Sequence, residues 1–207
     1  MESYHAAEAF KLICNPKYNI LENVSEQEYR LARKRIVDAI LATDMANHSK
    51  HITHLNAKLD TLGIDKGNNL ELLIGDNLNK NYENQQVVLN MLIHTADVSN
   101  PGKPLKVYQN WVELIFEEFF YQGDLEKSYN YPISMLCDRE TTNIAKAQIG
   151  FINFVVKPTF ESIIKIIPSI DFYLDNLQNN LKYYEDIVSE AENTKRKESK
   201  ENVIKAN

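Results

Sequence analysis

Apolar residues recur along this chain with a helical period, and no run alternates apolar with polar for long enough to make a strand. Tyr4, Ala7, Phe10 and Leu12 read as one face of a helix at the start of the sequence. Ser25-Glu26-Gln27-Glu28 is a capping box, in which the serine oxygen accepts from a first-turn amide while Glu28 reaches back. The helix it opens carries Tyr29, Ile36, Val37, Ile40 and Leu41 at helical spacing. A further helix is predicted over 50–62, stopping at Gly63. Residues 63–84 read as a surface loop with a short apolar piece, Leu70–Ile74. Val88, Leu89, Leu92, Ile93 and Ala96 restore the period, which ends near Ser99-Asn100-Pro101. After the turn Pro101-Gly102-Lys103-Pro104, the residues Leu105, Tyr108, Val112, Ile115, Phe116 and Phe119 predict a long helix closed by Gly123. Helices are also predicted over Arg139–Val156, ended or kinked by Pro158, then over 159–167 and about 170–190. The expected fold is all-α, a compact multi-helix bundle. The stretch from Glu190 to Asn207 is charged and poor in large apolar side chains, which predicts a frayed or disordered tail.

At 207 residues the chain is long enough to bury a core, and its 43% apolar and 25% charged residues are ordinary for a globular protein. A formal net charge of -6 argues against nucleic acid as a partner. It leaves room for an anionic small molecule, because a bound metal can reverse the local field. No stretch approaches the roughly 18–20 apolar residues of a membrane span, and the start lacks a signal-peptide pattern. Two distant cysteines, Cys14 and Cys137, suggest neither a disulfide framework nor a zinc motif, so a cytoplasmic location is expected.

The densest polar cluster is His94-Thr95-Ala96-Asp97-Val98-Ser99-Asn100-Pro101. A carboxylate among apolar neighbours is costly to bury, and a hard divalent cation on Asp97 would offset that cost. The plainer alternative is that Asp97 caps the turn and Asn100 starts the next element. Gln148 and Phe151 share a helix face, where an amide could read a purine edge and a ring could stack on it. A core phenylalanine beside a satisfied glutamine is the alternative. His48, His51 and His54 recur every three residues, yet no neighbouring Cys, Asp or Glu completes a metal set, so a solvated face is expected. There is no P-loop, no Gly-x-Ser-x-Gly elbow and no His-Glu-x-x-His helix.

Several segments occur in a telling order: Glu2-x-x-His5-x-Ala7, Leu41-Ala42-Thr43-Asp44-Met45, His94-x-Ala96-Asp97-x-Ser99-Asn100-Pro101 and Gln148-x-Gly150-Phe151. Tyr108-x-x-Trp111, Glu118-Phe119-Phe120-x-Gln122-Gly123-Asp124 and Cys137-Asp138 sit between them. Together they resemble the C-terminal half of the class I 3',5'-cyclic nucleotide phosphodiesterase catalytic domain. The resemblance covers residues 1–168 as a partial catalytic domain, leaving 169–189 as a terminal helix and 190–207 as the tail. It implies hydrolysis of cAMP or cGMP to the 5'-monophosphate at two divalent ions, Zn²⁺ and Mg²⁺ (or Mn²⁺), held ~3.5–4 Å apart. By motif position, Asp97 would be a metal ligand, and Glu2, His5 and Thr43 would belong to the shell of groups around the metals and their waters. Gln148 would bond the purine, Phe151 and Ile115 would clamp it, and Trp111, Phe119 and Leu136 would line the pocket. Asn100 stands where cAMP-preferring members often carry asparagine.

The family's His-Asn-x-x-His and His-Asp-x-x-His-Pro motifs, which supply the proton-donating histidine and most metal ligands, do not occur in these 207 residues. No catalytic residue is therefore assigned. The sequence is expected to be part of a larger domain, with weak metal binding and self-association through a face left uncovered. A non-catalytic binding or regulatory partner, and a purely structural helical module, are the alternative readings.

Overall fold

The helical period read from the sequence is realised over most of the computed structural model, which describes residues 1–64, 73–75 and 81–205; within the last helix, the side chains of residue 195 and residues 198–205 are not described. The helices are α1 (Glu2–Ile13), α2 (Glu26–Leu41), α3 (His48–Leu62), α4 (Tyr82–Asp97), α5 (Leu105–Ser128), α6 (Ile144–Phe151), α7 (Lys157–Ile163) and α8 (Phe172–Lys205). Among the described residues there is no strand, so the fold is all-α. Most of the loop expected over 63–84, including the start of its apolar piece, lies outside the described residues. The chain forms two compact units, residues 1–98 with 158–170 and residues 99–157 with 171–207.

In the first unit α1 lies on α2, and both α2 and α3 pack against α4. The capping box forms as read, with the Glu28 amide donating to Ser25 Oγ at 3.3 Å and the Ser25 amide donating to Glu28 Oε2 at 2.8 Å. Gly63 ends α3 in the left-handed conformation, φ 67°, which a glycine adopts without steric cost. Leu55, Leu59, Val88, Met91, Phe160 and Ile163 form the interior. Polar side chains tie it together: Arg35 Nη2 donates to Gln85 Oε1 at 2.5 Å, and Asn56 Nδ2 donates to Ser162 Oγ at 3.0 Å.

In the second unit α8 packs on α6 and on the 3₁₀ turn Asn100–Gly102, which also meets α5. Tyr108, Val112, Phe116, Ile152, Leu177 and Leu181 are buried there. Three elements of this unit depart from the sequence pattern, and in the first unit α4 starts at Tyr82, inside the loop expected over 63–84. Helix α5 does not close at Gly123 but runs on to Ser128. A Cβ on Gly123 would stand 2.0 Å from the Cys137 carbonyl oxygen, so this glycine permits a close backbone approach instead of ending the helix. The helix expected from Arg139 starts only at Ile144. Asp138 binds the Glu140 amide at 2.9 Å and the Thr141 hydroxyl at 2.9 Å, and Asn143 caps α6 by accepting from the Lys146 amide at 2.9 Å. These local bonds compete with helix over 139–143. Finally, α8 continues through Lys205, where the sequence predicts a disordered tail from Glu190. That stretch holds no Gly or Pro and is rich in Glu and Lys, whose helix propensity is high.

Candidate functional site

The residues expected to serve the metals all belong to the first unit. Asp97 is the last residue of α4 and is exposed, not buried as its apolar neighbours suggested. Its carboxylate is therefore open to a ligand without the desolvation cost argued from the sequence. Glu2 is half-buried in the first turn of α1; its own backbone amide, then the chain's amino group and His5, hold its carboxyl below the usual range. His5 is exposed. Thr43 is half-buried and its hydroxyl donates to the Ile40 carbonyl at 2.8 Å, which leaves the oxygen free to accept. Asp44 caps the following turn by accepting from the Ala46 amide at 2.9 Å. Among the described residues no group of three or more His, Cys, Asp or Glu is placed to hold a metal ion. The donor chemistry of Asp97 fits one oxygen ligand of a hard cation, and no more than that.

The histidines are not the solvated face that their spacing suggested. His48 is buried, with Nδ1 2.8 Å from Nε2 of the fully buried His94, and the His51 ring lies 5.9 Å from the His94 ring. Only His54 of the three spaced histidines is exposed. One nitrogen must donate and the other accept in the His48–His94 bond, so the two rings are not both protonated. Burial pushes the His48, His51 and His94 pKa values down, with repulsion from Lys50, His54 and His48 adding to the effect on His51 and repulsion from His48 and His51 adding to that on His94. The unfolded chain would then take up protons near pH 6.5 that the folded chain refuses. Stability from this cluster is present above that pH and is lost as the pH falls below it, levelling off once the folded histidines titrate. The melting temperature should therefore drop between pH 7 and pH 5.5, above the range where carboxylates titrate. His94→Asn should flatten that slope; an unchanged slope in circular-dichroism melts would assign it elsewhere.

The residues expected from the sequence to read a purine belong to the second unit, and the structure brings several of them together. Gln148, on α6, is buried and accepts at Oε1 from the Tyr108 hydroxyl at 2.6 Å. Tyr108 is wholly buried on α5, edge-on to Tyr184 at 5.6 Å between ring centres. Burial raises the pKa of both phenols, that of Tyr184 to about 12, so each stays protonated at any physiological pH. The backbone carbonyl of the same Tyr108 accepts from Asn100 Nδ2 at 3.5 Å. Tyr108 thus connects the two amide side chains, one through its backbone and one through its hydroxyl. Asn100 Oδ1 is buried and has no hydrogen-bond partner. Phe151 lies one turn beyond Gln148 and is half-buried, as is Phe119, which meets Phe116 edge-on at 5.7 Å. Ile115 and Trp111 are exposed on α5, with Lys103 Nζ 5.9 Å above the Trp111 ring. Leu136 stands in the left-handed conformation at φ 69°, just before the Cys137 carbonyl that abuts Gly123.

The site also rests on residues given no role from sequence. Asn180 of α8 is buried and donates from Nδ2 to the Pro101 carbonyl at 2.7 Å and the Lys103 carbonyl at 2.8 Å. Asn176 donates to the Gly102 carbonyl at 3.0 Å. These two amides hold the turn that carries Asn100. Their spacing of four residues on one helix face was a visible signal, but asparagines are common in this chain and nothing local marked these two.

Comparison with known proteins identifies the family. The sequence model of the 3',5'-cyclic nucleotide phosphodiesterases matches residues 1–177. The chain belongs to that family. Isoform F of a 3',5'-cyclic-AMP phosphodiesterase of Drosophila melanogaster is 37% identical over 189 residues, covering 91% of this chain and 28% of the relative. The 3',5'-cyclic-AMP phosphodiesterase 4C of Rattus norvegicus is 36% identical over 186 residues, covering 89% of this chain and 33% of the relative. Among solved structures, the phosphodiesterase domain of a Salpingoeca rosetta rhodopsin phosphodiesterase has a TM-score of 0.82 at 31% identity, covering 95% of this chain and 56% of that one. LmjPDEB1 in complex with IBMX has a TM-score of 0.78 at 28% identity, covering 91% and 52%. The chain thus spans a third or less of these curated relatives and about half of the solved phosphodiesterase chains. Among the described residues no helix is long and apolar enough to cross a membrane.

Proposed function

We propose that this chain serves in the hydrolysis of a 3',5'-cyclic nucleotide, cAMP in the first place, by binding the purine and supplying one metal ligand. The observation that carries the reading is the pair of amides arranged by Tyr108. Gln148 gives one lone pair to the Tyr108 hydroxyl and keeps both amide hydrogens for ring nitrogens of a base. The buried, unmatched Asn100 Oδ1 asks for a donor, and the exocyclic amino group of adenine is one. Phe151 and Ile115 would hold the base faces, with Trp111, Phe119 and Leu136 around them. The close relatives are named for cyclic AMP, which supports the same preference.

The metals implied by the family are Zn²⁺ and Mg²⁺ or Mn²⁺, which would polarise the phosphate and activate water when bound. From this chain Asp97 would contribute one carboxylate, with Glu2, His5 and Thr43 orienting the surroundings. Because neither histidine motif occurs in the sequence, the 207 residues alone are proposed to bind metal weakly and to lack turnover. That same absence favours a second reading, in which the chain binds cyclic nucleotide or an intact relative without catalysing. A cytoplasmic setting is proposed alongside, both cysteines being free.

Trp111 is the only tryptophan, so its fluorescence reports on the pocket directly. Titration with cAMP should change it saturably, and Gln148→Ala should weaken that binding about tenfold to a hundredfold, the cost of one buried hydrogen-bonding group. Metal content should be unaffected by this variant. An unaltered affinity would remove Gln148 from base recognition.

A further inference from the structure

Helix α5 is apolar on a second side, away from the one that packs into its own unit. Tyr108, Val112, Phe116 and Gly123 are its buried residues. Val107, Leu114, Tyr121 and Leu125 are 42%, 57%, 64% and 40% exposed, and they follow one another at steps of seven, seven and four residues. Such steps keep side chains on one face and make the kind of seam on which a second helix seats its own apolar residues. The middle of the seam is a hollow of about 520 Å³ lined by Leu114, Glu117, Glu118, Tyr121 and Arg139. An exposed apolar stripe rimmed by polar groups marks a surface for a partner.

The charge around the hollow selects that partner. Arg139 is already engaged: its Nε donates to Asp124 Oδ1 at 3.1 Å, Nη2 bonds Asp124 Oδ2, and the guanidinium lies 5.3 Å from the centre of the Phe120 ring. Glu117 and Glu118 are exposed, and among the described residues neither is in an ion pair. We infer that the seam docks a basic amphipathic helix of another protein, with its apolar residues on Leu114 and Tyr121 and its Lys or Arg flanks paired with Glu117 and Glu118. An amphipathic helix laid on an apolar groove supplies both features at once, and opposite charges beside the seam fix partner and register. A second copy of the chain fits poorly, because a two-fold contact through the hollow sets Glu117 and Glu118 against their own counterparts. An anionic lipid surface is repelled by the same carboxylates. None of the four seam residues is assigned above to the purine or to the metals. Trp111, three residues before Leu114, borders the seam and reports on what docks there.

The test titrates the full chain with a synthetic helix of about three heptads, Leu at the seam positions and Lys beside them. Trp111 fluorescence and calorimetric heat are followed at about 150 mM salt, where loose attraction between exposed charges is screened. Saturable one-to-one binding is expected. Leu114→Ser combined with Tyr121→Ser should weaken it about tenfold or more while the chain melts as before, since both side chains are exposed. Glu117→Lys combined with Glu118→Lys should weaken it to a similar degree and admit the same helix made with Glu in place of Lys, which the wild type should not take. Absence of binding would overturn the inference. So would equal binding of a peptide of the same composition with its Leu residues out of heptad order, or undiminished binding by either double variant. A dimer of the chain in sedimentation that Leu114→Ser with Tyr121→Ser dissociates would also overturn it, because a second copy would then occupy the seam.

Discussion

Asp97→Ala should cost on the order of a thousandfold or more in cyclic nucleotide turnover wherever this chain is part of a working site, the scale expected when a metal loses an oxygen ligand and several kcal/mol of charge stabilisation go with it. The physical reason is local. Asp97 ends α4 with its carboxylate in solvent, so its removal deletes a ligand without opening a cavity or stranding a buried partner. Folding should survive intact, and metal content measured by atomic absorption should fall with activity. Thr43→Ala should act in the same direction but less strongly, roughly ten- to a hundredfold in metal affinity, as for a group that orients the metal's surroundings. An Asp97→Ala protein that keeps both its metal and its turnover would show that the motif is misassigned.

Asn180→Ala should have the largest effect on stability. Its side-chain amide satisfies two carbonyls, those of Pro101 and Lys103, at 2.7 and 2.8 Å. Truncation would leave the buried Pro101 carbonyl without that donor, at about 1–3 kcal/mol, and the half-buried Lys103 carbonyl at about 1 kcal/mol more. A loss of about 2–4 kcal/mol is a large part of an ordinary margin of about 5–15 kcal/mol, and corresponds to a fall of roughly 5–15 °C in melting temperature. Since this turn carries Asn100, nucleotide affinity should fall along with stability. Asn180→Asp should fare no better, because a carboxylate cannot donate to the two carbonyls. A melting temperature within a degree or two of the wild type would mean that the turn is held by its own backbone bonds. The Gly102 amide to the Ser99 carbonyl at 2.9 Å and the Lys103 amide to the Asn100 carbonyl at 3.0 Å are the ones available.

Much of this was legible in the sequence because helical period and capping are local properties. The capping box at Ser25, the end of α3 at Gly63 and the apolar faces of α4 and α5 are set by residues within one or two turns. Features that depend on distant neighbours could not be read in the same way. Gly123 has the composition of a helix stop, but its role is set by a carbonyl fourteen residues later in the chain. His48 and His51 carry a polar label and lie on a helix with charged neighbours; only the arrival of His94 from α4 makes His48 an interior residue and leaves His51 half-buried. Asp97 illustrates the opposite error, since apolar neighbours suggested a buried carboxylate, yet Ile93 on its own helix face is itself exposed although Val98 is buried. For the candidate site, the shared helix face of Gln148 and Phe151 was visible in the spacing with a core alternative left open, and the family pattern supplied their expected roles and that of Asn100. The role of Tyr108, which links Gln148 to Asn100, required a contact across forty residues.

The most direct measurement is the metal content of the purified 207-residue chain together with its hydrolysis of cAMP and cGMP in Mg²⁺ and Mn²⁺. Less than one metal and no 5'-monophosphate from the chain alone is the predicted result. Two tightly held metals and full hydrolysis by the chain alone would contradict the account, because side chains other than the missing histidine motifs would then have to complete the site.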